Sequence, residues 1–231
     1  MPINYNKIKI PTDGNSNTPI ENPSSTSGVV SVYFRDAMDT LVKKIEEADY
    51  VIGCVAWLTH PLILRAMSNC IGVNVVVAKE DWLRPDTIQT NLKELYSHLQ
   101  PITSDRGLRE LPFMDRTLWD VSTCGSIADE PVRCFGGVNT DKKLAWSRLH
   151  HKFLLFGRYD NQAETIQQPY AVWTGSLNFT HNSNNSLENG VYMTDPVIVN
   201  SYTREFTQIL ALSEPLNWNH VYCAPEYRIG T

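Results

Sequence analysis

The chain has 231 residues, of which 42% are hydrophobic and 19% are charged, and its formal net charge is -5. This length can bury a substantial core in one domain, and the composition is typical of a soluble globular protein. The acidic balance excludes a protein that coats nucleic acid through bulk positive charge, but it does not exclude a local basic groove.

The first elements of the chain change from polar to helical character. Residues 1–28 are rich in Pro, Asn, Ser and Thr, which is typical of loops. We expect an arm there, either packed on a partner subunit or disordered. From Val32 to Asp49 apolar residues recur at three- and four-residue spacing, and this pattern predicts a helix.

A strand–helix–strand pattern follows. The apolar runs Tyr50–Trp57 and Val73–Ala78 suit buried strands, and His60–Cys70 between them reads as a helix with Pro61 in its first turn. This order predicts a βαβ unit. We therefore expect an α/β fold with a mixed, largely parallel central sheet flanked by helices.

The second half of the chain predicts further strands and a closing helix. Thr87–Leu99 has the pattern of an amphipathic helix, and Pro196–Ser213 that of the closing helix. The predicted strands are Val132–Phe135, Leu149–Phe156, Tyr170–Thr174 and Gly190–Thr194. The polar stretch 157–169 is predicted as a loop. We expect one domain over 29–213, followed by an aromatic tail over 214–231.

The cysteines and the hydropathy pattern indicate the compartment. The five cysteines are odd in number and form no Cys-x-x-Cys pair, so we expect neither a disulfide framework nor a structural zinc site. We interpret them as reduced thiols that mostly fill the core. No segment is long and apolar enough to span a bilayer, and the N-terminus lacks the order of a signal peptide. These features predict a cytoplasmic protein without a membrane partner.

The residues that suggest chemistry are concentrated between 150 and 189. On a strand, His150 and Lys152 would project from the same face, while His151 would point away. Gly175 permits a tight turn, and Ser176 and Asn178 can donate hydrogen bonds to phosphate oxygens. Glu188 could fix the tautomer of an imidazole by accepting from one of its nitrogens.

Each of these motifs has an ordinary structural alternative. His-x-Lys also fits a solvent-facing start of a strand, and Thr-Gly-Ser-x-Asn also fits turn or helix-cap chemistry. Glutamate usually lies on the surface. The candidates therefore carry weight as an ordered set and not one at a time.

The ordered set resembles the phospholipase D superfamily. The match consists of His150-x-Lys152, Gly175-Ser176-x-Asn178 and Glu188-Asn189, and it covers about 149 to 194. It is most similar to the small bacterial nuclease branch, which has one motif per chain. One position departs from the family pattern: the family usually has Asp five residues after the Lys, whereas this chain has Gly157.

The resemblance implies a metal-independent phosphodiesterase that needs no cofactor. In such a reaction His150 of one subunit attacks phosphorus and forms a phosphohistidine, and the second His150 protonates the leaving oxygen and then activates water. Lys152, Asn178 and Ser176 would stabilise the phosphoryl oxygens, and Glu188 would orient His150. Because the chain has one motif and the chemistry needs two histidines, the resemblance implies a homodimer with its active site at the two-fold interface.

The charge pattern favours nucleic acid as the substrate. The window from Lys142 to Arg158 contains five Lys or Arg and no Asp or Glu, which suits a phosphate-binding cleft, although a solvated charged face is the alternative. A lipid phosphodiesterase ranks lower, since no amphipathic membrane-binding helix or lipid-anchoring motif is evident. A catalytically impaired nucleic-acid-binding member of the family is the remaining alternative.

Overall fold

The structure is a computed structural model that describes residues 24–79, 83, 90–102, 130–136 and 148–216. Within these ranges the strands are β1 Ser25–Ser27, β2 Val30–Tyr33, β3 Tyr50–Val55, β4 Gly72–Ala78, β5 Val132–Phe135, β6 Lys152–Gly157, β7 Tyr159–Asp160, β8 Thr165–Ile166, β9 Ala171–Gly175, β10 Gly190–Met193 and β11 Glu214–Pro215. The helices in the same ranges are α1 Ala37–Glu46, α2 Pro61–Ser68, α3 Thr90–Ser97 and α4 Pro196–Ala211, with a 3-10 helix over His181–Asn185.

Nine of these strands form one mixed sheet, in the order β1-β2-β10-β9-β6-β3-β4-β5-β11. The α/β class with a mixed sheet is therefore confirmed. The sheet is less parallel than expected: β3–β4 and β4–β5 are parallel pairs, whereas the other pairs are antiparallel. The βαβ unit explains the parallel part, while β6, β9 and β10 are connected without an α-helix between them and alternate in direction.

Helices cover both faces of the sheet. On one face α1, α2 and α3 contribute Leu41, Ile63 and Leu92 to a core that includes Val51 and Phe156 of the strands. On the other face α4 packs Phe206 and Leu210 against Ile52, Cys54 and Leu155. Successive side chains of a strand point to opposite faces, so a sheet covered on both sides needs nearly continuous apolar strands. The runs in β3 and β6 meet this requirement.

The start of the first predicted helix is wrong. The periodic pattern from Val32 predicts a helix, but Val30–Tyr33 is strand β2, which pairs with β10, and α1 begins at Ala37. Apolar residues at three- and four-residue spacing continue from Phe34 into α1, whereas Val and Tyr favour strands when a partner strand is available. Tertiary pairing therefore decides the conformation of this segment.

The remaining predicted elements agree with the structure to within a few residues, with two additions. The predicted loop 157–169 contains the short antiparallel pair β7–β8. The sheet also gains edge strands β1, from the expected arm, and β11, from the expected tail. The expectations for 1–23 and for the aromatic tail after 216 lie outside the described residues, as does the start of the predicted Thr87 helix.

Three of the five cysteines lie within the described residues. Cys54, Cys70 and Cys134 are free and buried, as expected of core-filling thiols, while Cys124 and Cys223 lie outside the described residues. Among the described helices, none combines the length and the hydropathy that crossing a bilayer requires.

Candidate active site

The predicted site residues meet at one edge of the sheet, which here means the line along which the ends of its central strands lie. At this edge β3 and β9 end, and β6 and β10 begin. The register places Val55 opposite Lys152, Thr174 opposite Phe153, and Gly175 opposite Gly190. Because these strands begin or end at the same place, residues from three separate sequence blocks become neighbours in space.

His150 and Lys152 are in contact. His150 is exposed and lies just before β6, and Lys152 is the first residue of that strand. The Lys152 ammonium donates to the backbone oxygen of His150 at 3.0 Å and lies 3.3 Å from both ring nitrogens. Partial burial lowers the pKa of Lys152, and the Glu188 carboxylate opposes this shift. The cation is thus held beside the imidazole.

Ser176 and Glu188 form a second pair beside them. The Ser176 hydroxyl donates to the Glu188 carboxylate at 2.5 Å and accepts from the backbone N–H of Asn189 at 3.0 Å. Gly175 makes this approach possible, because its φ is +154° and a Cβ there would overlap the Asn189 carbonyl oxygen. The two motif blocks are therefore joined through both backbone and side chains.

The amide oxygen of Asn178 has no hydrogen-bond partner among the described residues. Asn178 is half-buried, and this Oδ1 atom is itself buried. The next residue is fixed: the Phe179 carbonyl accepts from the backbone N–H groups of Thr59 and His60, both at 2.8 Å. A buried polar atom of this kind costs free energy unless a ligand or water satisfies it.

The predicted contact between Glu188 and His150 is not formed among the described residues. Glu188 accepts from Ser176 instead and acts on Lys152 through its charge. The geometry of Gly175 explains this, because it brings Ser176 against the backbone at Asn189, within reach of the carboxylate. The orienting role of Glu188 toward the imidazole therefore stays a prediction.

His151 points away from the site, as the strand alternation predicts. Its Nε2 lies 3.1 Å from a carboxylate oxygen of Glu205 on α4, and its ring packs edge-on against Phe153. Adjacent histidines thus serve opposite faces of the sheet. Among the described residues, no group of three or more His, Cys, Asp or Glu is arranged to hold a metal ion.

The three described basic residues of the predicted window do not all lie together. Arg148 is exposed close to the site, and its backbone forms an antiparallel β-bridge with Gly136. Lys142 and Lys143 lie outside the described residues. Arg158 lies at the opposite end of β6, 3.8 Å from Asp49 and against the ring of Tyr170. Because Arg158 follows Lys152 by six positions along extended chain, the two residues are about 20 Å apart. Arg158 therefore does not belong to the site.

Trp57 is a site residue that the sequence reasoning did not identify. Its ring lies edge-on to His150, with 6.1 Å between the ring centroids and 87° between the planes. Trp57 follows β3, and His150 precedes β6, nearly a hundred positions later. No local pattern signals the contact, because it depends on the pairing of two distant strands.

The space that a side chain at position 157 would need is filled by another residue. This is the position at which the resembled family has Asp. A Cβ at Gly157 would overlap the ring of Tyr50, which is fully buried. Tyr50 donates its hydroxyl to the carbonyl of Gln167 at 2.5 Å. The departure lies at the end of β6 away from His150, and it does not remove a group from the site itself.

The chain is similar to several solved structures and, in sequence, to a viral protein. No family model matches the chain. Among solved structures it is similar to NucT from Helicobacter pylori, with TM-score 0.48 and 15% identity over 80% of this chain and 96% of the other. It is also similar to Nuc from Salmonella typhimurium, described as a phospholipase D family member, with TM-score 0.46 and 16% identity over 80% and 95%.

The comparison in sequence gives a nearer relative. The chain is 31% identical over 233 aligned residues to uncharacterized protein L381 of Acanthamoeba polyphaga mimivirus, and the alignment covers 94% of this chain and 74% of the relative. The chain belongs to the same protein family as mimivirus protein L381.

Proposed function

We propose that the protein is a phosphodiesterase of the phospholipase D superfamily that cleaves nucleic acid, DNA or RNA, without a metal. One observation carries the proposal: His150, Lys152, Ser176, Asn178 and Glu188 come from three sequence blocks and meet at one sheet edge. The free, buried thiols support a reducing compartment such as the cytoplasm.

The proposed reaction is a two-step displacement at phosphorus. A ring nitrogen of His150 from one subunit attacks in line, the P–O bond to the leaving group breaks, and His150 of the other subunit gives its proton to the leaving oxygen. A phosphohistidine results. The second His150 then removes a proton from water, which attacks phosphorus and breaks the P–N bond. The exposure of His150 supports access of a large substrate to this nitrogen.

The neighbouring groups suit the charge that develops on the phosphoryl oxygens. The Lys152 ammonium is 3.3 Å from the imidazole and would stabilise a phosphoryl group attached there. Asn178 would donate from its amide nitrogen. The hydroxyl proton of Ser176 is engaged by Glu188, so these two residues fix the loop and keep a negative charge near Lys152.

Two copies of the chain are needed for this chemistry. One site contributes one attacking imidazole, and the acid must be a second group on the far side of the phosphorus. We propose a homodimer in which the two sheet edges face each other across the two-fold axis. Arg148, exposed at this edge, would then line a shared groove for a polyanionic substrate.

The test is cleavage by wild type, His150→Ala and His151→Ala, each with excess chelator. The substrates are bis(p-nitrophenyl) phosphate, supercoiled plasmid, a single-stranded oligonucleotide, RNA, and phosphatidylcholine vesicles. We expect nucleic-acid cleavage that survives chelation, falls by about 10²–10⁴-fold in His150→Ala, and persists in His151→Ala. Equal activity of His150→Ala and wild type would overturn the proposal, and cleavage of vesicles alone would favour a lipid substrate. Sedimentation measures the dimer.

A further inference from the structure

The orientation of the His150 ring needs an explanation. The Lys152 ammonium is 3.3 Å from both ring nitrogens, so it does not select one of them, and its directed bond goes to the backbone oxygen. Glu188 is engaged by Ser176. A nucleophile must present one nitrogen along the line of attack, so a loosely oriented ring would lose rate.

The chain beyond β3 lies directly against the chain leading into β6. Val55 is opposite Lys152, and the backbone N–H of Ala56 donates to the oxygen of His151 at 2.8 Å. The next pair in this register is Trp57 and His150. Their rings meet edge to face, at 6.1 Å between centroids. This is a favourable geometry for an aromatic pair.

Trp57 is itself held in place. It is half-buried, and the next residue, Leu58, is fully buried and bridges to Phe179. The Leu58 carbonyl accepts from the Tyr96 hydroxyl at 2.6 Å. The backbone N–H of Thr59 donates to the Phe179 carbonyl. The same short segment therefore contacts His150 on one side and the chain next to Asn178 on the other.

We propose that Trp57 is the positioning residue for His150. Its indole restricts the imidazole to one orientation, in the role that the family resemblance assigns to a carboxylate. The segment Trp57–Thr59 also fixes the distance between the histidine and the Asn178 loop. The effect on catalysis rests on the proposed function, whereas the effect on the ring is a property of the free protein.

The kinetic test compares Trp57→Phe, Trp57→Leu and Phe135→Leu on bis(p-nitrophenyl) phosphate. Phe135 is a partly buried aromatic residue at the end of β5, on the same sheet edge. We expect kcat to fall by about 10- to 100-fold in Trp57→Leu with KM unchanged, since misplacement of a reacting group reduces the rate and not binding. Trp57→Phe and Phe135→Leu should keep most of kcat. Trp57→Met replaces the Leu variant if that variant does not fold.

The second measurement does not depend on activity. Carbon-13 relaxation of the histidine rings reports their motion in the free protein, with exposed His98 as the internal comparison. We expect the His150 ring to be more restricted than that of His98 in wild type, and equally mobile in Trp57→Leu. A His150 ring as mobile as His98 in wild type, or wild-type kcat in Trp57→Leu, overturns the inference. If wild type cleaves none of the substrates but its His150 ring is restricted, the proposed function alone is overturned.

Discussion

The ring of Tyr50 occupies the space that a side chain at position 157 would need. The two residues face each other in the β3–β6 register, and both are buried. The resembled family usually has Asp at this position, whereas in this chain the space is filled by an aromatic ring whose hydroxyl donates to the Gln167 carbonyl. Burial raises the pKa of Tyr50 well above its usual range, so the hydroxyl stays neutral.

Introducing Asp at position 157, as in the resembled family, should therefore damage the fold. We expect Gly157→Asp to lower the free energy of unfolding by about 3 kcal/mol through overpacking, with the buried charge adding to the loss. This corresponds to a drop of roughly 10 °C in Tm for a chain of this size. Circular dichroism on heating measures it. Gly157→Ala separates sterics from charge and should show much of the loss; wild-type stability of both variants would contradict the overlap with Tyr50.

The charge of Glu188 should set the alkaline limit of activity. Partial burial lowers the pKa of Lys152, and Glu188 raises it, so Glu188→Gln lowers that pKa further. Because Lys152 acts as a cation, the alkaline limb of the pH–rate profile should move to lower pH. Glutamine still accepts from Ser176, so the loop should be retained. Glu47→Gln, which affects a pair with Lys44 far from the site, should leave the profile unchanged. A shift to higher pH would contradict this assignment.

Two arginines of the basic window differ in their distance from the site. Arg148 lies at the site edge and Arg158 at the opposite edge, where it contacts Asp49 and Tyr170. We expect Arg148→Ala to weaken nucleic-acid binding and to reduce the slope of log K against log salt by about 1. Arg158→Ala removes the same charge and should leave the slope unchanged. Fluorescence anisotropy over a salt series measures both, and equal effects would place the groove elsewhere.

The buried thiols should be inert in the folded protein. Burial raises the pKa of Cys70 and of Cys134 to about 12, and that of Cys54 well above its usual range. Alkylation requires thiolate and access, so iodoacetamide at mildly alkaline pH should leave all three unmodified until denaturant is added. Peptide mass mapping reads each site separately. Modification of Cys54 in the folded state would show that α4 opens from the sheet.

Local patterns predicted most helices and strands to within a few residues, and long-range pairing was the main source of error. The strand Val132–Phe135 and the helix beginning at Pro61 match because apolar runs and proline at a first turn are local signals. Ser176 and Glu188 were identified as motif residues, but their hydrogen bond to each other was not predicted. It arises from the β9–β10 hairpin geometry at Gly175, which the sequence indicates only as a turn.

Trp57 and Arg158 show the same limit from two sides. The apolar run predicts only a strand at Trp57, because its partner His150 is brought to it only by the β3–β6 pairing. The charge pattern groups Arg158 with Lys152 because they are close in sequence, yet β6 places them at opposite ends of the strand. Residues a few positions apart on one extended strand lie far apart in space, whereas strand pairing makes neighbours of segments that are distant in sequence.

The position of β6 at the centre of the sheet has a consequence for synthesis of the chain. The bond from the backbone N–H of Tyr159 to Asp49 joins residues 110 positions apart, and that from Tyr50 to Gln167 joins residues 117 apart. While the ribosome produces the intervening residues, β3 has a bare apolar edge that can pair with other nascent chains. Slow translation between β4 and β6 would therefore favour aggregation, and a chaperone that covers this edge would raise the yield of folded protein.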